Sequence, residues 1–153
     1  MMMRARRALA LSLAAIALTA CATAGARAPA TAGSLYQRLG GYDAIAAVID
    51  DFLAREMADA RIVPFFKGLE PRELQRVRQH LVDQVCFATG GPCYYPGKDM
   101  KAAHAELEIT DQVWNVFTGH FNESLQKFKV GTRERNELVA IIGSLRKDIV
   151  NKP

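Results

Sequence analysis

Three histidines, His80, His104 and His120, carry most of the coordination chemistry open to this chain. An imidazole can be a metal ligand, a proton carrier or a charge switch, and its setting decides which. His104 closes the stretch Gly90-Gly91-Pro92-Cys93-Tyr94-Tyr95-Pro96-Gly97-Lys98-Asp99-Met100-Lys101-Ala102-Ala103-His104. Glycine and proline at this density cannot sustain a long helix, so the spacing predicts an ordered loop that presents His104. The tyrosines are apolar enough to pack it down. No acid stands near His104 at the spacing of a nucleophilic triad. His80 lies beside an apolar helical stripe, and two imidazoles facing each other across an apolar gap suit one metal held from two sides. His120 falls inside the most apolar helix and reads as structural, bonded to a neighbour or edging solvent.

Several chemistries are excluded. A structural zinc site needs four ligands, and the Cys and His spacings that supply them are absent. There is no Cys-x-x-Cys-His, so c-type haem attachment is out. There is no Gly-x-Ser-x-Gly, no P-loop and no dinucleotide fingerprint. What remains is a non-covalent haem held by one histidine in an apolar pocket.

The elements that must position these residues are helical. Ser34 is a plausible N-cap for a short turn that ends at Gly40-Gly41. Tyr42, Ile45, Ile49, Phe52, Leu53 and Met57 recur at helical spacing and predict an amphipathic helix ending near Asp59. Pro64-Phe65-Phe66-Lys67-Gly68 forms a corner on which the two phenylalanines cannot face one core alike. Pro71 opens a helix that runs to about Thr89. Its stripe is Leu74, Val77, Leu81 and Val85, flanked by Gln84 and His80. Thr110 caps a helix over Asp111 to Phe128 whose broad apolar face predicts the most buried helix. A final helix carries Leu138, Ile141, Ile142, Leu145 and Ile149, and Asn151-Lys152-Pro153 is expected to fray. No strand pattern competes, so the fold class is all-α. The aromatic residues would fill a core or line a pocket for a flat hydrophobic ligand, and periodicity leaves both open.

The first 33 residues read differently. Met1 to Arg7 is basic, Ala8 to Ala20 is apolar, and Leu18-Thr19-Ala20-Cys21 follows, which is the layout of a signal peptide. The apolar run is too short to span a bilayer. Leu-Thr-Ala-Cys resembles the lipobox of bacterial lipoproteins, which implies cleavage before Cys21 and a lipid on its thiol. Ordinary secretion, with cleavage after Ala24, is the alternative. Ala22 in place of an aspartate points to an outer-membrane anchor on the periplasmic side. The expected organisation is a signal over 1–20, a flexible linker over 21–33 and one folded domain over 34–150. The 153-residue chain has a formal net charge of +4, and Arg4, Arg6 and Arg7 would leave with the signal. Nothing suggests nucleic acid.

Cys86 and Cys93 can oxidise in an exported protein, which would pin the Gly90-Gly91 turn to the helix end. Two buried free thiols are the alternative.

Taken in order, Leu35-Tyr36 with Gly40-Gly41, Phe65-Phe66, Gly90-Gly91-Pro92, Tyr95-x-Gly97, Met100-Lys101-x-x-His104 and Ile109-Thr110 resemble the group I truncated haemoglobins over about Ser34 to Val150. The resemblance implies a two-over-two α-helical sandwich around haem b. It makes His104 the proximal ligand and Phe66 the phenylalanine on the haem face. Val77, Leu81 and Gln84 would line the distal side. His80, ten residues before Gly90, stands where some members carry a histidine that takes the sixth iron position. Lys67, Lys101 or Tyr95 would reach a propionate, Met100 would pack toward the porphyrin, and Val113 and Phe117 would touch it from the next helix, with Ile109 at that helix's approach. Many members carry a tyrosine where this chain has Leu53. Leucine donates no hydrogen bond, so distal polarity falls to His80 or Gln84. A free N–H on the proximal imidazole needs an acceptor, for which a carbonyl between Tyr95 and Lys101 is the candidate.

Three functions follow from the resemblance. One is binding of oxygen, nitric oxide or carbon monoxide. Another is redox catalysis, as a nitric oxide dioxygenase, nitrite reductase or peroxidase. The third is electron transfer with His104 and His80 both on iron. The last two need an external electron donor.

Overall fold

The computed structural model describes residues 33–152. The expected signal peptide, lipidated Cys21 and most of the linker lie outside the described residues. Seven α-helices and one 3₁₀ turn make up the described domain, with no strand among the described residues. They are α1 (Leu35–Arg38), α2 (Gly41–Ala58), the 3₁₀ turn (Val63–Phe66), α3 (Pro71–Ala88), α4 (Met100–His104), α5 (Asp111–Lys127), α6 (Thr132–Ser144) and α7 (Arg146–Ile149).

The predicted starts hold for local reasons. The Ser34 hydroxyl accepts from the Gln37 N–H, and the Gln37 side chain returns the bond to the Ser34 N–H. Thr110 caps α5 by accepting from the Val113 N–H at 3.3 Å. Pro71 sits in the first turn of α3, where its missing N–H costs no intrahelical bond.

α2 packs on both α3 and α5, and α5 packs on α6, which gives two helix pairs laid one over the other. The main core is Ile45, Val48, Ile49 and Phe52 of α2, Val82, Val85 and Cys86 of α3, Phe121 and Leu125 of α5, Leu138 of α6 and Leu35. The Phe52 ring meets Phe117 and Phe121 edge-on at 4.8 and 5.4 Å. A second, smaller core of Ile109, Trp114 and Ile149 underlies α4.

Four expectations need correcting. The most buried helix is α2, not α5, because α2 is sandwiched between two neighbours: it buries Ile45, Val48, Ile49, Phe52 and Glu56. Met57, expected in that stripe, is exposed, and Glu56 takes its place on the inward face. The apolar stripe of α3 also divides. Val85 joins Val82 and Cys86 in the core, whereas Leu74, Val77 and Leu81 are only half-buried. Finally, the chain end does not fray at Asn151, whose backbone N–H donates to the Ile109 carbonyl at 3.0 Å.

Candidate functional site

The loop between α3 and α4 begins with two tight contacts. Gly90 has φ +83 and lies against Ser34, where a side chain would be strained. A β-carbon on Gly91 would stand 2.6 Å from the Cys86 sulfur and 2.6 Å from the Tyr36 ring. Cys86 and Cys93 are joined in a disulfide, with Cα atoms 5.8 Å apart. The bridge ties the loop to the end of α3, which resolves the two readings of these cysteines.

The loop does not run unbroken to His104. Asp99 accepts from the Ala102 N–H at 2.8 Å and starts the five-residue helix α4, so His104 stands at a helix end. Its Nδ1 lies 2.7 Å from the Met100 carbonyl, one turn back. A carbonyl can only accept, so the proton belongs on Nδ1 and Nε2 presents its lone pair. The expected acceptor for the imidazole thus falls inside the predicted Tyr95 to Lys101 segment.

The opposite wall is the half-buried edge of α3, with Val77, His80, Leu81 and Gln84 at helical spacing. The Gln84 amide donates to the Met100 sulfur at 3.3 Å. Met100 therefore meets both sides, through its carbonyl to His104 and through its sulfur to α3. The His80 ring lies 5.9 Å from the ring of Tyr95, edge to face. Tyr95 in turn donates to the Lys98 carbonyl at 2.9 Å. Burial raises the Tyr95 phenol above its ordinary value, and the nearby Asp99 adds to this.

Phe66 is half-buried at the end of the 3₁₀ turn, whereas Phe65 packs against the second core, so the two phenylalanines do diverge. Val113 also packs against the second core, and Phe117 against the main one. Phe117 stacks with Trp114 at 6.2 Å. Ile109 is buried within the second core, where it supports α4 from below. Lys67 and Lys101 are exposed. The structure thus brings Gln84, Met100 and His104 together by direct contacts and, as a separate pair, His80 and Tyr95.

Two polar groups with long-range partners escape the sequence reading. Asn151 contacts the His104 and Ala105 carbonyls, and nothing in its type or position marks it. The other is a buried carboxylate. His120 places Nδ1 2.8 Å from Glu56 and Nε2 3.3 Å from Asp59. Burial pushes the Glu56 carboxyl up to about 7, opposed by His120. Its second oxygen has no partner among the described residues. The Arg61 guanidinium holds Asp59 well below the usual carboxylate range. The one local signal for Glu56 is its place one turn past Phe52 on the stripe of Ile45 and Ile49.

An all-helical two-over-two sandwich, with a carbonyl-bonded imidazole facing a half-buried apolar helix edge, defines a haem-binding globin. Comparison with known proteins gives the family. Residues 34–151 match the bacterial-like globins. The group 1 truncated hemoglobin GlbN of Mycolicibacterium paratuberculosis is 30% identical over 116 residues, covering 76% of this chain and 83% of that protein. The crystal structure of the truncated hemoglobin from Tetrahymena pyriformis in its Fe(III) form matches with a TM-score of 0.72 and 27% identity, over 78% of this chain and 100% of that one. The 2/2 hemoglobin from Synechococcus, solved in the cyanomet state with covalently attached heme, matches with a TM-score of 0.72 and 30% identity, again over 78% of this chain and 100% of that one. The chain belongs to the bacterial-like globins, within their group 1 truncated haemoglobins.

Haem, with its iron, is the cofactor of this family. The residues present fit it: a lone-pair nitrogen at His104 meets the ligand requirement, and the half-buried apolar side chains of Val77 and Leu81 meet the porphyrin's.

Proposed function

We propose that this protein binds a diatomic gas at a haem b iron, with His104 as the proximal ligand. The observation that carries the reading is the 2.7 Å contact from His104 Nδ1 to the Met100 carbonyl. It fixes the tautomer, orients the ring and raises the basicity of the other nitrogen. When bound, the haem iron supplies a coordination position for oxygen, nitric oxide or carbon monoxide. The chain's own contribution is to hold the group, exclude water and set distal polarity. Phe66, Val77, Leu81, Val113 and Phe117 supply the apolar surface. Lys67 or Lys101, both exposed, or Tyr95 would meet the propionates.

A purified protein with a Soret band that His104→Ala largely abolishes supports the assignment. A His104→Ala variant that keeps haem with an unchanged spectrum refutes it.

The distal side favours a second reading. Leu53 offers no donor, and the Gln84 amide is engaged by Met100. His80 is then the remaining polar group on that edge. It would take the sixth iron position, which suits electron transfer, or act as the polar group of a nitric oxide dioxygenase or peroxidase served by an external reductase. A six-coordinate low-spin ferrous spectrum that becomes five-coordinate in His80→Ala supports the bis-histidine form. A five-coordinate wild type removes it.

We further propose export and lipid anchoring through Cys21. The Cys86–Cys93 disulfide supports an oxidising compartment. Release of Cys21→Ser from the membrane fraction would support the anchor, and its unchanged retention would count against it.

A further inference from the structure

The helix that presents His104 has five residues, too few to stand alone. It leaves carbonyls at its C-terminal end that need donors. The Leu107 N–H supplies one to His104 at 3.1 Å. A second donor comes from far along the chain. The Asn151 amide nitrogen donates to the His104 carbonyl at 2.7 Å and to the Ala105 carbonyl at 3.1 Å. The amide oxygen of the same side chain accepts from the Ile109 N–H at 2.7 Å. Its backbone N–H donates to the Ile109 carbonyl at 3.0 Å.

This arrangement has one orientation only. Rotating the amide would set its oxygen against two carbonyls and its nitrogen against an N–H, losing three bonds at once. The contact also sits on a fixed base. Ile149, Val150 and Leu145 pack with Ile109, Trp114, Leu107 and Met100. Asn151, although exposed, is therefore a bracket of four hydrogen bonds between that base and the backbone of the residue bearing the imidazole.

We propose that Asn151 is a positioning residue for the iron ligand: it fixes the His104 main chain, so that the imidazole, already oriented by Met100, meets the iron at one height and angle. The inference rests on the reading of His104 as the proximal ligand. It concerns the backbone anchor of that residue and not its identity.

Asn151→Asp tests it on the full-length haem-loaded protein. The change keeps the size of the side chain and its acceptor for Ile109, but it replaces both donors with a charge facing two carbonyl oxygens. The iron–histidine stretching band of the ferrous protein should shift and broaden, and the rate of haem transfer to a scavenger apoglobin should rise roughly tenfold, the lower end of what support groups around a metal contribute. Lys152→Ala removes only the surface pair with Glu108 and should leave both readouts alone.

A second background separates positioning from general loosening. In His104→Gly supplied with free imidazole, the ligand is no longer tethered to the backbone. Asn151→Asp should then leave the iron–imidazole band unmoved. A wild-type band and haem-loss rate in Asn151→Asp overturn the proposal, as does a band that shifts equally in the imidazole-rescued background. If His104→Ala keeps the wild-type iron–histidine band, the underlying ligand assignment fails instead, whatever Asn151 does.

Discussion

Replacing Cys93 by serine should weaken the domain by a calculable amount. Cys86 is fully buried at the end of α3, and Cys93 is half-buried in the loop, so this substitution opens the bridge without emptying the core position. The bridge closes a span of seven residues. Chain entropy for a loop of that size gives about 2.5 kcal/mol of stabilisation at 25 °C. A domain of this length unfolds with an entropy of about 0.25 kcal/mol/K, so the midpoint should fall by roughly 10 °C. The assay is thermal and guanidinium unfolding of the haem-loaded proteins at equal haem concentration, because a ligand that binds only the folded state shifts both curves. A dithiol reductant should bring the wild type down to the variant and leave the variant where it is. An oxidised wild type and a Cys93→Ser variant with the same midpoint would refute the reasoning. So would a reductant that lowers both equally.

The buried carboxyl of Glu56 gives a pH signature. Its folded value of about 7 stands above its ordinary 4.5. The stability it contributes is complete below about pH 4.5 and is lost as the pH rises through 7. Between about pH 5 and 8.5 the wild type should lose up to about 3 kcal/mol more than Glu56→Gln, measured by denaturant unfolding. Asp51, held low chiefly by Lys127 and then Arg55, and Asp59, held low by Arg61, act in the opposite sense, and their contribution is lost only as the pH falls through the acid range. Phe52→Ala should cost about 3–5 kcal/mol in the same assay, since it empties a fully buried ring site against two aromatic neighbours. Thr110→Ala should cost about 1 kcal/mol by removing the α5 cap. Leu53→Tyr supplies the missing distal donor and should slow oxygen release roughly tenfold by stopped-flow, the equivalent of one good hydrogen bond.

Helix positions were legible because caps and breakers are local. Ser34, Pro71 and Thr110 each act within one turn of their own residue, and each begins the helix expected of it. The break before His104 was legible because glycine and proline at that density stop α3, although a short helix restarts after Asp99. Which face of each helix turns inward was less legible. Glu56 and Met57 are adjacent, and hydrophobicity alone chooses the methionine; packing on two sides of α2 and a partner on α5 choose the glutamate. The division of the α3 stripe into a packed edge and a half-buried one is equally tertiary, since Val85 and Leu81 are alike in type. Asn151 shows the limit most clearly. Its role depends on carbonyls of His104 and Ala105 that lie more than forty residues earlier, and no local pattern encodes that meeting.

That separation also governs the order of folding. α2 and α3 can find each other early, through a turn and a short connection. α4 cannot, because the bracket that holds it spans 47 residues of sequence and closes only after α5, α6 and α7 are in place. The α4 segment is therefore expected to be the last part of the domain to order and the first to open. Amide hydrogen exchange would register this as weak protection across Ala103 to Leu107 against strong protection in α2, and haem capture would wait on the slowest closure in the chain rather than on the formation of its pocket walls.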